Sequence, residues 1–176
     1  SLQNGMIGNE KTIGSEIFIR RKNRQINGWI AYQFNNTDYS FNDSHYYSAN
    51  HDITHEFKSV MMTSILDYDF TATWSYSSGR VYTHLDEINI TNDFQIFYND
   101  GKRNKERLEP VHHLDISISK SYTLNYLQLN VGLSIYNIYN KKNISHKRYN
   151  PYSLENIISD VVMLGFTPTF FIQASL

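Results

Sequence analysis

The chain has 176 residues, enough for one domain with a sizeable core, and its length does not require two domains. Its formal net charge is −1 and its pI is near 6.6, so it lacks the basic field that nucleic-acid binding needs, and we expect no nucleic-acid partner. It contains no cysteine, which excludes disulfides and thiolate metal sites.

The composition excludes membrane crossing by helices but not by strands. No apolar run approaches the about eighteen residues of a membrane helix. Aromatic residues make up 15% of the chain, with 14 tyrosines, and the mean hydropathy is −0.49. A transmembrane barrel alternates lipid-facing and lumen-facing residues and is therefore polar on average. The polar composition is thus compatible with a barrel in a membrane.

Alternation of apolar and polar residues with period two predicts seven strands, since successive side chains of a strand point to opposite faces. In chain order, these strands cover about 12–21, 26–40, 53–65, 69–79, 110–120, 125–137 and 160–176. The clearest pair forms a hairpin within 111–143. The last strand keeps one apolar parity from Val162 to Leu176, which makes it far longer than the usual strand of about five or six residues.

The connections between the predicted strands alternate strictly in length. Those at 22–25, 66–68 and 121–124 are short, whereas those at 41–52, 80–109 and 138–159 are long. A small alternating patch around 88–98 predicts a local hairpin inside the second long connection. In a meander this alternation places all short turns at one end, as in outer-membrane barrels with short periplasmic turns and long extracellular loops. The C-terminus is then periplasmic.

Periodicity alone does not determine which face of the strands contacts water. One alternative is a soluble, lipocalin-like barrel with the aliphatic faces inside. The inverted arrangement is favoured because the polar faces carry mostly small uncharged residues, and because Tyr and Trp recur near strand ends. The lipid-facing residues are then expected to be Leu114, Ile116, Ile118, Leu127, Leu129, Val131, Leu133, Ile135, Phe170 and Ile172. The lumen-facing residues are expected to be His113, Asp115, Gln128, Asn130 and Gln173.

Three segments resemble the C-terminal barrel strands of TonB-dependent outer-membrane receptors, especially those of Bacteroidetes. They are LEPVHHLDISISKSY at 108–122, LQLNVGLSIYNIYNKKN at 127–143 and LGFTPTFFIQASL at 164–176. NGWIAYQF at 27–34 and ATWSYSSGRVYT at 72–83 are similar to the preceding strands of such barrels. The chain departs from the family in ending on Leu176, where these barrels commonly end in an aromatic residue.

The resemblance implies an all-β, antiparallel transmembrane meander that forms the C-terminal part of a barrel of about 22 strands. Residues 1–176 are then a single barrel segment, with the plug domain absent from this chain. The implied function is nutrient uptake across the bacterial outer membrane. The implied partners are outer-membrane lipid, the remainder of the barrel and the plug, the TonB complex reached through the plug, and a surface lipoprotein. An outer-membrane barrel that serves as a protein-interaction or secretion scaffold is the alternative.

The sequence contains no catalytic constellation, so we expect neither an enzyme nor a cofactor nor a bound metal. His113 and Asp115 share the polar parity of one strand, where hydrogen bonding within the wall is the expected role. His45 and His51 lie beside acidic residues in the first long connection, which raises a metal site as a weaker hypothesis. The long connections also carry aromatic side chains suited to stacking on a ligand. The candidate substrate-binding residues are His45, Tyr46, Tyr47, His51, Tyr82, Tyr98, Tyr149 and Tyr152.

Overall fold

The computed structural model describes residues 8–23, 25–41, 45–90, 96–100, 102–150 and 158–176, with the backbone alone at 85–90 and 96–100. The described residues form an all-β structure, and none of them belongs to a helix that is long and apolar enough to span a membrane. The strands are β1 (Gly8–Lys22), β2 (Ile26–Phe41), β3 (Tyr47–Ser48), β4 (His55–Ile65), β5 (Tyr68–Ser77), β6 (Val81–Tyr82), β7 (Leu85–Ile90), β8 (Ile96–Asp100), β9 (Glu106–Arg107), β10 (Val111–Leu124), β11 (Leu127–Tyr136), β12 (Ile144–Tyr149), β13 (Ile158–Val162) and β14 (Thr167–Ser175).

One large sheet contains the long strands in the order β1-β2-β4-β5-β10-β11-β14, and every pairing is antiparallel. The strands follow each other as they do along the chain, so the predicted antiparallel meander is confirmed. Short strands in the long connections form three separate two-stranded pairs, β6 with β9, β7 with β8 and β12 with β13. The pair of β7 and β8 is the local hairpin expected around 88–98.

Two of the short turns use residues with positive φ. Leu66 and Asp67 have φ values of 52° and 65°, which is the backbone pattern of a type I′ turn and matches the right-handed twist of the strands. Asn125 has a φ of 51° at the turn between β10 and β11. Asparagine adopts this region more readily than most residues because its side chain hydrogen-bonds locally. The sequence prediction placed this turn at 121–124, but β10 extends to Leu124 and the turn is 125–126.

The prediction of one strand over 160–176 is wrong. Residues 158–162 form β13 and pair with β12, whereas β14 covers only Thr167–Ser175 and pairs with β11. The apolar parity of the sequence continues through the break between the two strands, where Leu164 and Phe166 are exposed at 68% and 48%. Periodicity therefore reports which side chains share a face and does not report where the hydrogen-bonding partner changes.

The pairing registers give the large sheet two chemically distinct faces, since residues opposite each other on neighbouring strands share a face. The apolar face contains Ile13, Ile17, Ile19, Ile26, Ile30, Tyr32, Phe34, Phe57, Met61, Ile65, Phe70, Ala72, Trp74, Leu114, Ile116, Ile118, Leu127, Leu129, Val131, Leu133, Ile135, Phe170 and Ile172. The polar face contains His113, Asp115, Gln128, Asn130 and Gln173 together with many small polar residues, and it also carries charged and aromatic residues such as Glu56, Lys58, Trp29 and Phe171. All residues expected to share a face therefore do so.

The described residues bury almost no hydrophobic side chain. Ala49 and Leu108 are the buried apolar residues, and both lie in long connections. Large side chains of the apolar face are mostly open, with Ile17 at 59%, Phe170 at 64% and Ile172 at 62% exposure. The sheet is a single layer whose apolar face is not covered by other described residues. Burial is instead concentrated among polar residues where the long connections meet.

Candidate functional site

The three long connections begin at the same end of the sheet, called here the loop end. They are the first loop (42–54), the second loop (78–110) and the third loop (137–166). Seven polar residues are buried among the described residues: Thr37, Ser40, Asp52, Ser78, Asn104, Asn137 and Asn143. They lie in these loops or in adjoining strand ends. Because a buried polar group is costly without a partner, the hydrogen bonds of these residues define how the loops are held.

Asp52 of the first loop is fully buried and forms an ion pair with Arg107 of the second loop at 2.7 Å. The carboxylate also accepts hydrogen bonds from the Thr37 N–H and the Thr54 hydroxyl, both at 3.0 Å. Arg107 donates a further hydrogen bond to the Gly79 carbonyl at 2.7 Å. One guanidinium therefore joins the first loop to both ends of the second loop.

Burial raises the pKa of Asp52, but the hydrogen bonds from Arg107, the Thr37 N–H and Thr54 outweigh it. The pKa of Asp52 therefore lies below its ordinary value of 3.8. Hydrogen bonds to a charged group stabilise that charged form, so the carboxylate is ionised at neutral pH. The link between the first two loops is thus an ion pair over the whole physiological range of pH.

Asn104 extends this linkage to the third loop. Its side-chain amide donates to the Ser48 carbonyl at 2.7 Å and to Asn50 Oδ1 at 2.6 Å, both in the first loop. Its backbone N–H donates to the Thr83 hydroxyl at 3.0 Å. The Tyr149 hydroxyl, from the third loop, donates to the Thr83 carbonyl. The three loops therefore meet around Thr83 and Asn104.

A cavity of about 350 Å³ lies at this junction and is called here the loop cavity. All three loops contribute to its lining, which comprises Asn50, Arg80, Val81, Tyr82, Thr83, Arg103, Asn104, Leu108, His146, Lys147 and Tyr149. Lys147 stands 5.7 Å from the ring centroid of Tyr82 and forms an ion pair with Asp160 at 2.6 Å. The hydrogen bond that Lys147 donates to the Asp160 carboxylate raises the pKa of Lys147 above its ordinary value of 10.5, against the opposing effect of burial.

The structure brings Tyr82 and Tyr149 together among the sequence-predicted site residues, although they lie in different loops. Tyr47 does not line the loop cavity but contacts a residue that does, because the guanidinium of Arg103 stacks over its ring at 4.7 Å. The His51 ring packs edge-on against Tyr39 at 5.8 Å rather than lining the loop cavity.

The remaining predicted site residues are dispersed or lie outside the described part of the chain. Tyr46 is exposed at 57%, and His45 is also exposed. The backbone of Tyr98 is in β8, but its side chain is outside the described atoms, and Tyr152 lies outside the described residues. No group of three or more potential metal-binding side chains occurs among the residues that the structure describes.

Three asparagines of the NIYNKKN segment act as strand partners through their side chains. The Asn143 side chain accepts a hydrogen bond from the His112 N–H at 3.1 Å and donates to the His112 carbonyl at 2.9 Å. It therefore makes the two bonds that a backbone residue of a neighbouring strand would make with β10. Asn137 donates to the carbonyls of Lys141 and Leu164. Asn140 accepts from the Phe166 N–H at 2.8 Å. These bonds hold the third loop and the entry to β14.

His113 and Asp115 form a hydrogen-bonded pair on the polar face at 2.9 Å. The same carboxylate oxygen accepts the Asn137 N–H at 2.9 Å. The pair therefore joins β10 to the residue that follows β11. A separate cavity of about 440 Å³ on this face is lined by both signs of charge, with Glu16, Glu56, Lys58 and His113 among its residues.

Sequence reasoning missed the cations of the loop cavity and the roles of Asn104 and Arg107. Arg80, Arg103 and Lys147 read as ordinary solvated charges in long polar connections, since no periodicity relates them. Their proximity depends on hydrogen bonds between residues more than 50 positions apart in the chain, such as the bond from Asn104 to Asn50, which are 54 positions apart. No local pattern in the sequence reports such a pairing.

Comparisons of the chain with protein-family models, with curated proteins and with solved structures find no match. We therefore infer the function from the two faces of the sheet, from the loop end and from the resemblance of the strand sequences.

Proposed function

We propose that this chain is part of the wall of an outer-membrane β-barrel, in a TonB-dependent receptor that takes up a nutrient. In this proposal the apolar face lies against lipid, the polar face lines the lumen, and the three long loops face outward to capture the ligand. The observation that carries the proposal is the continuous, uncovered apolar face with polar and aromatic borders at both ends.

The borders of the apolar face have the composition of membrane interfaces. At the end of the sheet opposite the loop end, where the short turns lie, the Lys120 ammonium is 4.7 Å from the ring centroid of Tyr68 and 5.7 Å from that of Tyr122. At the loop end, the Tyr139 hydroxyl and the His112 ring are hydrogen-bonded at 2.8 Å. Amphipathic side chains of this kind place an apolar body in hydrocarbon and a polar tip in the headgroup region.

The strands are long enough to cross a bilayer. The seven long strands of the large sheet have nine to sixteen residues, and a tilted transmembrane strand needs about nine to eleven. The ten residue-to-residue steps from His112 to Tyr122 span ~33 Å along β10 at about 3.3 Å per step. At a tilt of about 45° this is a height of ~23 Å, close to the about 25 Å apolar band of such barrels.

The positions of the short turns support this tilt. Along the pairing registers, turn 66–67 lies about two residues beyond the level of turn 23–25, and turn 125–126 about four residues beyond the level of turn 66–67. From the first short turn to the third, the summed shift of about six residues is ~20 Å along the strands, and the four strand spacings between these turns are ~19 Å across them. Strands whose turns lie at one membrane surface would therefore tilt by roughly 45°, near the 35–45° range of transmembrane barrels.

The assignment to TonB-dependent uptake rests on the resemblance of 108–122, 127–143 and 164–176. The outer strands β1 and β14 run in the same direction, as the first and seventh strands of a meander must, so they do not close the sheet by pairing antiparallel with each other. Open edges are not tolerated in lipid. In this proposal they pair with the remaining strands of a larger barrel, which encloses the plug.

Substitution of Leu133 by Arg tests the orientation of the wall. Leu133 is on the apolar face between Ile118 and Phe170, where we expect Arg to oppose insertion by about 2–4 kcal/mol. The measurements are the amount of protein in the outer-membrane fraction and growth under limitation of the transported nutrient. L133R should lower both, with growth falling to that of cells lacking TonB.

Ser134→Arg is the matched control, because the next residue of β11 lies on the polar face opposite Ser117 and Thr169. S134R should insert as the wild type does. Equal loss of insertion in the two variants would contradict the orientation. Normal growth of cells lacking TonB, under conditions where loss of this protein stops growth, would contradict TonB-dependent uptake while leaving the barrel proposal intact.

A further inference from the structure

We propose that the loop cavity binds a small anionic sugar, through a phosphate or sulfate group held by Arg80 and Arg103. The proposal deepens the proposed function by naming the ligand class of the outward loops, and it rests on that function only in taking those loops as the side that meets the ligand. It comes from the charge, the pairing and the shape of this junction.

The charge of the loop cavity is of one sign. Two arginines and a lysine line it together with His146, and no Asp or Glu is among its described lining residues. The cavity on the polar face differs in this respect, since Glu16 and Glu56 line it beside Lys58. An oxyanion placed in the loop cavity would meet Arg80 and Arg103 of the second loop without facing a carboxylate of the lining, while Lys147 of the third loop shares its charge with Asp160.

The two arginines are available for a ligand. Among the residues whose side chains are described, neither Arg80 nor Arg103 has a carboxylate within salt-bridge distance, whereas Arg107 uses its charge on Asp52. Arg103 is instead oriented by the Tyr47 ring, which lies 4.7 Å from its guanidinium carbon. Cation–π stacking leaves the N–H donors of a guanidinium at its edge free for an oxyanion.

Aromatic and amide groups beside these cations suit the sugar part of the ligand. The Tyr82 ring lies beneath Lys147 and offers an apolar surface. Asn50 accepts the Asn104 amide through Oδ1, so its own NH₂ group remains without an acceptor among the described residues. The volume of about 350 Å³ is within the about 300–1,000 Å³ of typical ligand pockets.

The cavity is held in shape before a ligand binds. Asn104 ties the second loop to the first, and the Tyr149 hydroxyl ties the third loop to the second at Thr83. Lys147 is fixed by its ion pair with Asp160. Loops that are already ordered lose less conformational entropy on binding, so a preformed cationic cavity favours affinity for an anion.

The test is calorimetric titration, in detergent micelles at low ionic strength, of the complete barrel protein that contains this chain in the proposed function. The probes are glucose 6-phosphate, glucose 6-sulfate and unmodified glucose. We expect at least one anionic sugar to bind at least tenfold more tightly than glucose, and added salt to weaken that binding. Comparison of the two anions distinguishes phosphate from sulfate. Failure of both anions to bind more tightly than glucose would overturn the proposal.

Arg80→Gln and Arg103→Gln should each weaken binding of the anionic sugar at least tenfold. Lys102→Gln is the matched control, because Lys102 is exposed beside Arg103 and does not line the loop cavity. Unchanged affinity in both arginine variants, at an unchanged denaturation midpoint, would overturn the proposal. Binding in micelles is measured apart from membrane insertion, so failure here leaves the insertion of the L133R and S134R pair as an independent result.

Discussion

At the scale of single residues, Asp52 shows how one ionised side chain holds two loops. Its carboxylate accepts from Arg107, from the Thr37 N–H and from Thr54. The pKa of Asp52 lies below 3.8 in the folded protein, where burial alone would raise it. A carboxyl group with a lowered folded-state pKa contributes stability above its unfolded pKa and loses it as the pH falls through the folded value.

Substitution of Asp52 by Asn should therefore loosen the loop end at neutral pH and have little effect in strong acid. Removal of the charge leaves Arg107 without its carboxylate, and we expect a cost of about 1–3 kcal/mol for the local structure. The measurement is amide hydrogen exchange of 37–54 and 79–84 in wild type and D52N. The difference should be largest at neutral pH and shrink below pH 3.8.

Asp69→Asn is the control for this experiment. Asp69 accepts a hydrogen bond from Ser64 beside the exposed turn 66–67, far from the loops along β5. Its loss should leave exchange at 37–54 unchanged. Protection of the Thr37 N–H that is the same in wild type and D52N at pH 7 would show that the ion pair does not hold the loops together.

At the scale of elements, Gly132 lets β11 pass under an aromatic ring on the polar face. A β-carbon at this position would lie 2.3 Å from Phe171 Cζ on β14 and 2.8 Å from the Ile118 carbonyl oxygen on β10. The ring can rotate away, but the carbonyl belongs to a paired strand. Glycine at this position therefore permits close approach on both sides of β11.

Gly132→Ala should lower the free energy of unfolding by about 1–3 kcal/mol, the usual cost of overpacking a filled site. The measurement is urea denaturation in micelles followed by circular dichroism. Ser134→Ala, on the same face and strand, is the control and should change little. Adding Phe171→Leu to G132A should recover only part of the loss, since the Ile118 carbonyl stays. A denaturation midpoint equal to that of the wild type would contradict this account of Gly132.

The elements also show how far the sequence predicts the fold. Period-two alternation is local, so it predicted the meander and the residues that share each face. It did not predict β12 and β13, which pair with each other inside the third loop, nor the asparagine side chains that bond to the backbone at the ends of that loop. Asn143 pairs with His112 across 31 residues, and Asn140 with Phe166 across 26. Parity carries no information about such partners, which is why β14 was predicted too long.

The candidate site was predictable only in part for the same reason. Aromatic residues in polar connections identified Tyr82 and Tyr149 as candidates, and the loop cavity contains both. The cations beside them come from separate loops, and the bonds that assemble these loops involve buried polar residues such as Asn104. Burial of a loop asparagine depends on partners that are distant in the chain, so no pattern in the neighbouring sequence predicts it.

At the scale of the whole molecule, the central question is what covers the apolar face. A soluble barrel and a membrane barrel use the same strands, and they differ in whether the aliphatic side chains meet each other or lipid. The chain has two tryptophans, and the sheet places them on opposite faces. Trp74 packs beside Phe57 and Tyr76 on the apolar face, whereas Trp29 packs beside Phe18 on the polar face.

Single-tryptophan variants therefore report each face separately. The variant W29F retains Trp74, and its fluorescence should fall strongly in micelles of a detergent whose alkyl chain carries bromine, because quenching requires contact with the bromine atom. The variant W74F retains Trp29 and should be quenched little by that detergent and more by acrylamide in water. Both variants are also measured in unbrominated detergent, which controls for any change in the fold.

The contrast between the two variants distinguishes the two architectures. Lipid on the apolar face predicts bromine quenching of Trp74 alone. A soluble barrel encloses Trp74 among aliphatic side chains and leaves Trp29 in water, so it predicts that bromine quenches neither. Quenching of both to the same extent would indicate a sheet that lies in the micelle without a lumen. Trp29 is in register with Val60 and through it with Thr73, the residue before Trp74, so both tryptophans lie within the span of the strands and the contrast between them reports the face.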